Sequence, residues 1–381
     1  MTSKIENHIF AVASSIIRKS SRERPADAVL RSELKADAGL AGRERAEVSR
    51  TVFGYYRWLR WLDQGKTLRE QLDRALDLVG TFTHRPENFT DAEVVRLAVP
   101  DWLHDEAEVS PPWARTLQAE PRLWLRARPG QGRALAARLG DCHAYGEGPL
   151  ADTLEYCGHE DLFRTAEFHA GEFELQDVSS QAVGLLCGPR AGETWWDACA
   201  GEGGKTVHFS DLMGNKGLIW ASDRAGWRLQ NMKRRAARAR VFNYRAKEWD
   251  GGPKLPTKTK FDGVLVDAPC SGIGTWQKNP HARWTTTQQD LRELSELQKR
   301  LLAHSAVGVK PGGKLIYAVC ALARAETVEV VETFESGTKE FKRLELNNPL
   351  SPGSSPSALT WLRPEHCGGN GMFVAAWTRR Q

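Results

Sequence analysis

Two cysteines in this sequence stand where a nucleophile would be useful. Cys270 lies in Asp267-Ala-Pro-Cys-Ser-Gly-Ile-Gly-Thr275, and Cys320 lies in Tyr317-Ala-Val-Cys-Ala-Leu322. A thiol attacks as the thiolate, so its pKa must fall below the roughly 8.5 of a free cysteine. Lys205 is the cation expected to supply that field. Asp267 is the carboxylate expected to hydrogen-bond a reacting ring as it accepts charge. Such a set points to covalent catalysis by sulfur. The other cysteines, 142, 157, 187, 199 and 367, are expected to pack as small apolar side chains. Seven is an odd number and no CxxC pair occurs, which argues against a zinc site and a disulfide framework.

The two thiols need elements that bring them to one place. From Gln176 onward short apolar runs alternate with longer helical stretches. Strands are expected at Thr194–Asp197, Gly217–Ser222, Asp262–Asp267 and Lys314–Val319, and helices at Arg224–Arg238 and Thr287–Ala306. That alternation predicts an α/β domain with a mostly parallel sheet and helices on both faces. Ligands of such sheets bind beyond the carboxyl ends of the strands, where both cysteines fall.

The first of these strands runs into Asp197-Ala-Cys-Ala-Gly-Glu-Gly-Gly-Lys-Thr206, a glycine-rich turn before a helix. Gly201, Gly203 and Gly204 allow close approach of a ligand to the backbone. A Walker A loop would need glycine at Cys199, and a dinucleotide GxGxxG would need it at Thr206, so neither fits. Asp223, after the second strand, suits either a ribose or the cap of the following helix. Asp250, in Glu-Trp-Asp-Gly-Gly, is expected to close the third strand. It would either bond an adenine amino group or serve as a turn residue.

Residues 1–108 read as helical. Val48, Val52, Tyr55, Leu59 and Leu62 form one apolar stripe, with Arg50, Arg57 and Arg60 mostly off it. Pro111-Pro112 marks a boundary. A small α/β module is expected over 111–175, with a strand at Trp124–Ala127 and a helix at Gln131–Leu139. The third domain spans 176–381. The net charge of +5 decides little in 381 residues, but Arg224–Lys247 holds nine basic residues and no acid. This stretch, which includes Lys233 and Arg234 as candidate contacts, is either a solvated helix face or a phosphate-contacting surface. No run approaches the roughly 20 apolar residues of a membrane helix. Free thiols point to a reducing compartment. The expectation is a soluble, cytoplasmic monomer with no metal and no membrane partner.

At these motifs the chain resembles the Sun/RsmB/NOP family of RNA 5-cytosine methyltransferases. The resemblance rests on DACAGEGGKT, DAPCSGIGT and YAVCAL, in that order. Phe173–Gln181, Pro280–Trp284, Leu297–Leu302, Pro311–Gly313, Glu326 and Gly368–Phe373 are similar to further family segments. In the second, beyond the Cys270 loop, the resemblance implies that Arg283 holds a phosphate of the RNA and that Trp284 stacks or anchors the loop, while His281 departs from the pattern. It covers 111–381, and Glu44–Asp63 resembles the NusB-like helical domain of the bacterial RsmB type. The resemblance implies a Rossmann-like methyltransferase domain preceded by a small RNA-binding module. It implies S-adenosylmethionine held by Cys199, Ala200, Gly201, Glu202, Gly203, Gly204 and Lys205, with Asp223, Arg228, Asp250 and Asp267. Cys320 would add to C6 of cytosine, so that C5 can take the methyl group, and Cys270 would assist release. Ribosomal RNA is the favoured substrate, with transfer RNA as the other choice. The competing readings are a non-catalytic RNA-binding or ribosome-assembly factor on the same fold, and a methyltransferase acting on DNA or protein. Glu202 stands where the family has proline, Ala318 and Ala321 where it has hydroxyl residues, and Asn370 where it has Asp.

Overall fold

The computed structural model describes residues 2–37 and 39–381, so Met1 and Ala38 lie outside the described residues. The chain divides into two compact units, Met1–Pro121 with Gly272–Gln288, and Arg122–Ser271 with Gln289–Gln381.

The first unit is helical, with helices at Thr2–Lys19, Ala26–Ala36, Gly42–Arg57, Leu68–His84, Asp91–Leu97 and Pro111–Thr116. Their starts are written locally. Thr67 Oγ1 accepts from the Glu70 amide while the Glu70 carboxylate takes the Thr67 amide, a reciprocal cap. Ser110 caps the helix that Pro111 opens. The proline pair expected to begin the small α/β module therefore begins a helix of this unit, whose Trp113 is fully buried. Val48, Val52, Tyr55 and Leu62 are buried as the stripe requires. Trp58, Phe82 and Phe89 form an aromatic cluster, with Trp58 and Phe89 ring centres 5.0 Å apart.

The second unit holds two sheets. The smaller comprises β1 (Leu123–Ala127), β2 (Cys142–Ala144), β3 (Thr153–Tyr156) and β4 (Phe173–Leu175), antiparallel in the order β2-β3-β1-β4. The helix between β1 and β2, Gly132–Leu139, ends at Gly140 with φ +61°.

The larger sheet comprises β5 (Thr194–Asp197), β6 (Leu218–Ala221), β7 (Tyr244–Ala246), β8 (Phe261–Asp267), β9 (Val309–Val319), β10 (Phe341–Leu344), β11 (Leu359–Leu362) and β12 (Met372–Arg379). The order is β10-β12-β9-β8-β5-β6-β7, with β11 also on β12. Neighbours from β7 to β9 are parallel, and β12 is antiparallel to β9. Strand alternation explains the two covered faces. Val264, Val266, Leu315, Tyr317 and Val319 point to a core with Leu301, Leu302, Val330 and Phe334. Leu265, Ile316 and Ala318 point the other way, to Ala182, Val183, Phe209 and Met213. β9 begins five residues before the expected start. Its register on β8 shifts between Phe261 and Gly263, opposite the stretch that contains Pro311 and two glycines.

Candidate active site

The larger sheet changes direction at β5. The chain steps outward from β5 to β6 and β7, then returns to lay β8 on the other side of β5. A crevice at such a reversal, beyond the carboxyl ends of the strands, is where this architecture binds ligands. The glycine-rich turn leaves β5 at that point. Gly201 and Gly203 have φ of +55° and +81°, which a side chain would oppose. A Cβ on Gly203 would lie 2.2 Å from Met232 Cγ, so this glycine also lets the helix Gly226–Arg238 pack close.

Asp223, two residues beyond β6, accepts from the Gly201 amide (3.0 Å) and the Ala225 amide (2.9 Å). It thus ties the glycine turn to the start of the next helix. The Arg228 guanidinium reaches the same carboxylate at 3.4 Å and lies against Gly201. Asp197 is buried at the end of β5, where Oδ2 accepts from Thr206 Oγ1 (2.7 Å). Burial pushes its carboxyl up to about 7 against the opposing Thr206 bond, and the charges of Asp267 and Asp223 push in the same direction as burial.

The register of β8 on β9 sets the two thiols. Asp267 pairs with Ala318, and the Ala268 amide donates to the Ala318 carbonyl. Both chains then leave the sheet side by side, and Cys270 Sγ lies 3.1 Å from Cys320 Sγ. Lys205 Nζ donates to Asp267 Oδ2 at 2.7 Å. Burial lowers the affinity of Lys205 for its proton. The charges of Asp267 and Asp197, with the Cys320 thiol, outweigh that, and its pKa is raised overall. It stays an ammonium group on the Asp267 carboxylate, close enough to Cys320 for the two to interact electrostatically. Cys320, Cys270, Asp267 and Lys205 are therefore brought together, with the glycine turn and Asp223 on the same edge of the sheet.

Other expectations change. Asp250 does not close the third strand, because β7 ends at Ala246. The exposed Asp250 carboxylate instead accepts from the Gly252 amide at 2.8 Å, as a turn residue does. Glu202 points out to solvent, where Asn231 Nδ2 donates to it. Cys199 packs against the core beneath the turn, and burial raises its thiol pKa strongly. Cys157 is exposed rather than packed. None of the seven cysteines is in a disulfide. Ala318 and Ala321 are fully buried, so a hydroxyl at either would need a partner inside the core.

The basic stretch is neither wholly solvated nor wholly available. Lys233 and Arg234 are exposed. Arg235 and Arg238 instead converge with Arg128 on the buried carboxylate of Glu174 in β4, at 2.6 to 2.9 Å. Arg283 is not available to a phosphate. It is fully buried in the helical unit and donates to the carbonyls of Ala98 and Leu117, both at 2.8 Å. Burial lowers its pKa to about 9. Trp284 anchors rather than stacks, through a 2.6 Å bond from Nε1 to the Tyr56 carbonyl. Arg57 is likewise buried, with its guanidinium on the Gln277 carbonyl.

Sequence reasoning assigned no chemistry to Gln298, and gave Glu326 only a place in a family pattern. Both bond the chain beside Cys270. The available signal was an acid six residues after Cys320, inside a stretch rich in alanine and valine. Among the described residues no three His, Cys, Asp or Glu side chains cluster to hold a metal. Among them, too, no helix is long and apolar enough to cross a membrane.

Comparison with known proteins agrees with this geometry. A family described as 16S rRNA methyltransferase RsmB/F matches residues 185–378. A probable ribosomal RNA small subunit methyltransferase B from Synechocystis is 37% identical over 55% of this chain and 48% of its own length. Ribosomal RNA small subunit methyltransferase B from Shewanella oneidensis is 31% identical over 75% of this chain and 68% of its own length. The chain spans about half the length of the Synechocystis and Bacillus subtilis relatives it matches. Among solved structures, PH0851 superposes with a TM-score of 0.77 at 21% identity, over 97% of both chains, which shows a shared fold. NSun6 from Pyrococcus horikoshii, solved with SFG, superposes with a TM-score of 0.53 at 27% identity, over 58% of this chain and 57% of that one. On the match across residues 185–378 and the identity to the Shewanella protein, the chain belongs to the RsmB/F family of methyltransferases.

Proposed function

We propose that this chain is an S-adenosylmethionine-dependent RNA methyltransferase that modifies C5 of a cytosine in small-subunit ribosomal RNA. The observation that carries the reading is the pair of sulfur atoms 3.1 Å apart beside the Lys205–Asp267 ion pair. C5 of cytosine is a weak nucleophile. Addition of the Cys320 thiolate to C6 makes the ring electron-rich at C5. Once C5 carries the methyl group, its proton leaves and the C6–sulfur bond breaks. Cys270 has the position to assist that release. The ammonium of Lys205 supports the Cys320 thiolate, and Asp267 receives the polar edge of the base. A base inside a helix must first be extruded, or be single-stranded, to reach the thiols.

The residues present suit the methyl donor. Asp197, Asp223 and Asp267 crowd one edge of the sheet, where burial first and then the charges of Asp267 and Asp223 raise the proton affinity of Asp197. A cationic sulfonium relieves that crowding. The turn from Cys199 to Lys205, with Asp223 and Arg228, would hold the cofactor, and Asp223 would take the ribose. When bound, S-adenosylmethionine supplies the electrophilic methyl group. Lys233 and Arg234 are the exposed cations proposed to meet RNA phosphates.

Two substitutions test the roles. Cys320→Ser is expected to abolish methyl transfer and any covalent protein–RNA species on a denaturing gel. Cys270→Ala is expected to accumulate that species, because addition proceeds while release stalls. An adduct in Cys320→Ser together with normal turnover in Cys270→Ala reverses the assignment. Bisulfite sequencing of ribosomal RNA from cells lacking the gene tests the substrate, and an unchanged pattern in the small-subunit RNA removes it.

A further inference from the structure

The Cys270 loop is gripped on both sides of the thiol by one buried polar unit. Glu326 is fully buried in the turn Arg324–Glu326. Its carboxylate accepts from the Ser271 amide at 2.9 Å and from the Ser271 hydroxyl. It also accepts from Gln298 Nε2 at 2.9 Å. Gln298 Nε2 donates in turn to the Pro269 carbonyl at 2.9 Å. The residues before and after Cys270 are thus held by Gln298 and Glu326 respectively. The Tyr317 hydroxyl reaches the Glu326 carbonyl at 2.7 Å and Gln298 Oε1 at 3.0 Å. Tyr317 lies on β9, three residues before Cys320. The unit therefore refers the position of one thiol to the strand that carries the other. Ser295 Oγ fixes the turn itself through the Ala325 carbonyl at 2.7 Å.

We propose that Glu326 and Gln298 are positioning residues that set the Cys270 thiol against Cys320, and that they act on the release step rather than on addition. This rests on the covalent reaction proposed above. Cys320 follows directly from the hydrogen-bonded end of β9 and needs no such brace. Cys270 stands three residues beyond β8, on a loop that the sheet does not hold. A buried carboxylate that accepts from the Ser271 amide and hydroxyl and from Gln298 is costly unless these donors are in place. The loop is accordingly held in one arrangement.

The test replaces Glu326→Gln, which keeps the shape but turns one acceptor into a donor facing Ser271. Gln298→Met serves as a second variant that frees the Pro269 carbonyl. Each is measured for single-turnover methyl transfer, steady-state turnover and the fraction of enzyme caught as covalent RNA adduct. Displacement of a reacting group by about 1 Å costs on the order of 100-fold. Steady-state turnover is therefore expected to fall by about that factor, with adduct accumulating and the first methyl transfer nearly unchanged. In a Cys270→Ala background neither substitution is expected to add a further effect, since the thiol it positions is gone. Equal loss of first transfer and turnover with no adduct, in whichever variant folds, overturns the proposal. If Cys270→Ala traps the adduct and neither variant does, the positioning role fails while the covalent reaction stands. If Cys270→Ala itself traps nothing, the release role fails and the positioning role fails with it.

Discussion

Asp197→Asn should change how the stability of this protein depends on pH. Asp197 is 1% exposed, and its Oδ1 has no hydrogen-bond partner among the described residues. Burial raises its pKa to about 7, whereas in the unfolded chain it stays near the model-compound value of 3.8. Between these values the folded protein binds the extra proton, so stability falls as pH rises from about 4 to 7 and levels off above. The full window is 7 − 3.8 = 3.2 pH units. At 1.36 kcal/mol per unit this corresponds to roughly 4 kcal/mol, of which roughly 2.5 kcal/mol falls between pH 5 and pH 8. Asparagine keeps the shape and still accepts from Thr206, but it cannot titrate.

Urea unfolding of both proteins at pH 5 and pH 8 reads the effect directly. Asp197→Asn is expected to gain about 2.5 kcal/mol relative to the parent between those two conditions. His208 acts with the opposite sign. Burial holds its pKa well below 6.5, so it costs stability as pH falls and the unfolded chain takes up its proton. It is common to both proteins and cancels in the difference. A gap between parent and variant that is the same at pH 5 and pH 8 would mean that Asp197 keeps one protonation state throughout, and would refute the reasoning.

Two further tests concern packing and charge. Gly203→Ala forces a Cβ to within 2.2 Å of Met232 Cγ at φ +81°, while Gly214→Ala, at φ +58°, meets nothing within 4 Å. Thermal unfolding should show the first losing clearly more stability than the second, for which a left-handed residue costs about 1–2 kcal/mol; equal losses would mean that Met232 simply moves aside. Arg283→Met strands the Ala98 and Leu117 carbonyls and should cost about 2–5 kcal/mol in urea unfolding, without changing the salt dependence of RNA binding. Joint replacement of Lys233 and Arg234 by alanine should do the reverse. Stability should hold, while the slope of log affinity against log salt flattens by up to about 2; a slope that responds only to Arg283→Met would exchange the two assignments.

The contrast between those arginines separates what the sequence made legible from what it did not. The glycine turn, the acids at strand ends and the two thiols follow from short-range physics. Gly201 and Gly203 adopt the positive φ that their type permits, and β5 ends at Asp197 as its pattern requires. Once parallel pairing is assumed, the meeting of Cys270 and Cys320 also follows, because residues just past two adjacent strand ends must be neighbours. The fate of a cation has no such local rule. Arg235 and Arg238 read as a surface in sequence, but Glu174, some sixty residues earlier, takes them through the small sheet. Arg283 stands beside a motif of the active-site loop, yet its segment folds into the helical unit, where three turns end in carbonyls that need a donor. The end of the third strand is hard to place for a related reason. β7 is a three-residue edge strand, too short for alternation to mark where it stops. A basic residue is evidence for RNA only after the buried carboxylates and carbonyls have taken their share. Of the cations singled out as RNA contacts from the sequence, that leaves Lys233 and Arg234 rather than Arg283 as the residues on which a salt-dependence measurement should act.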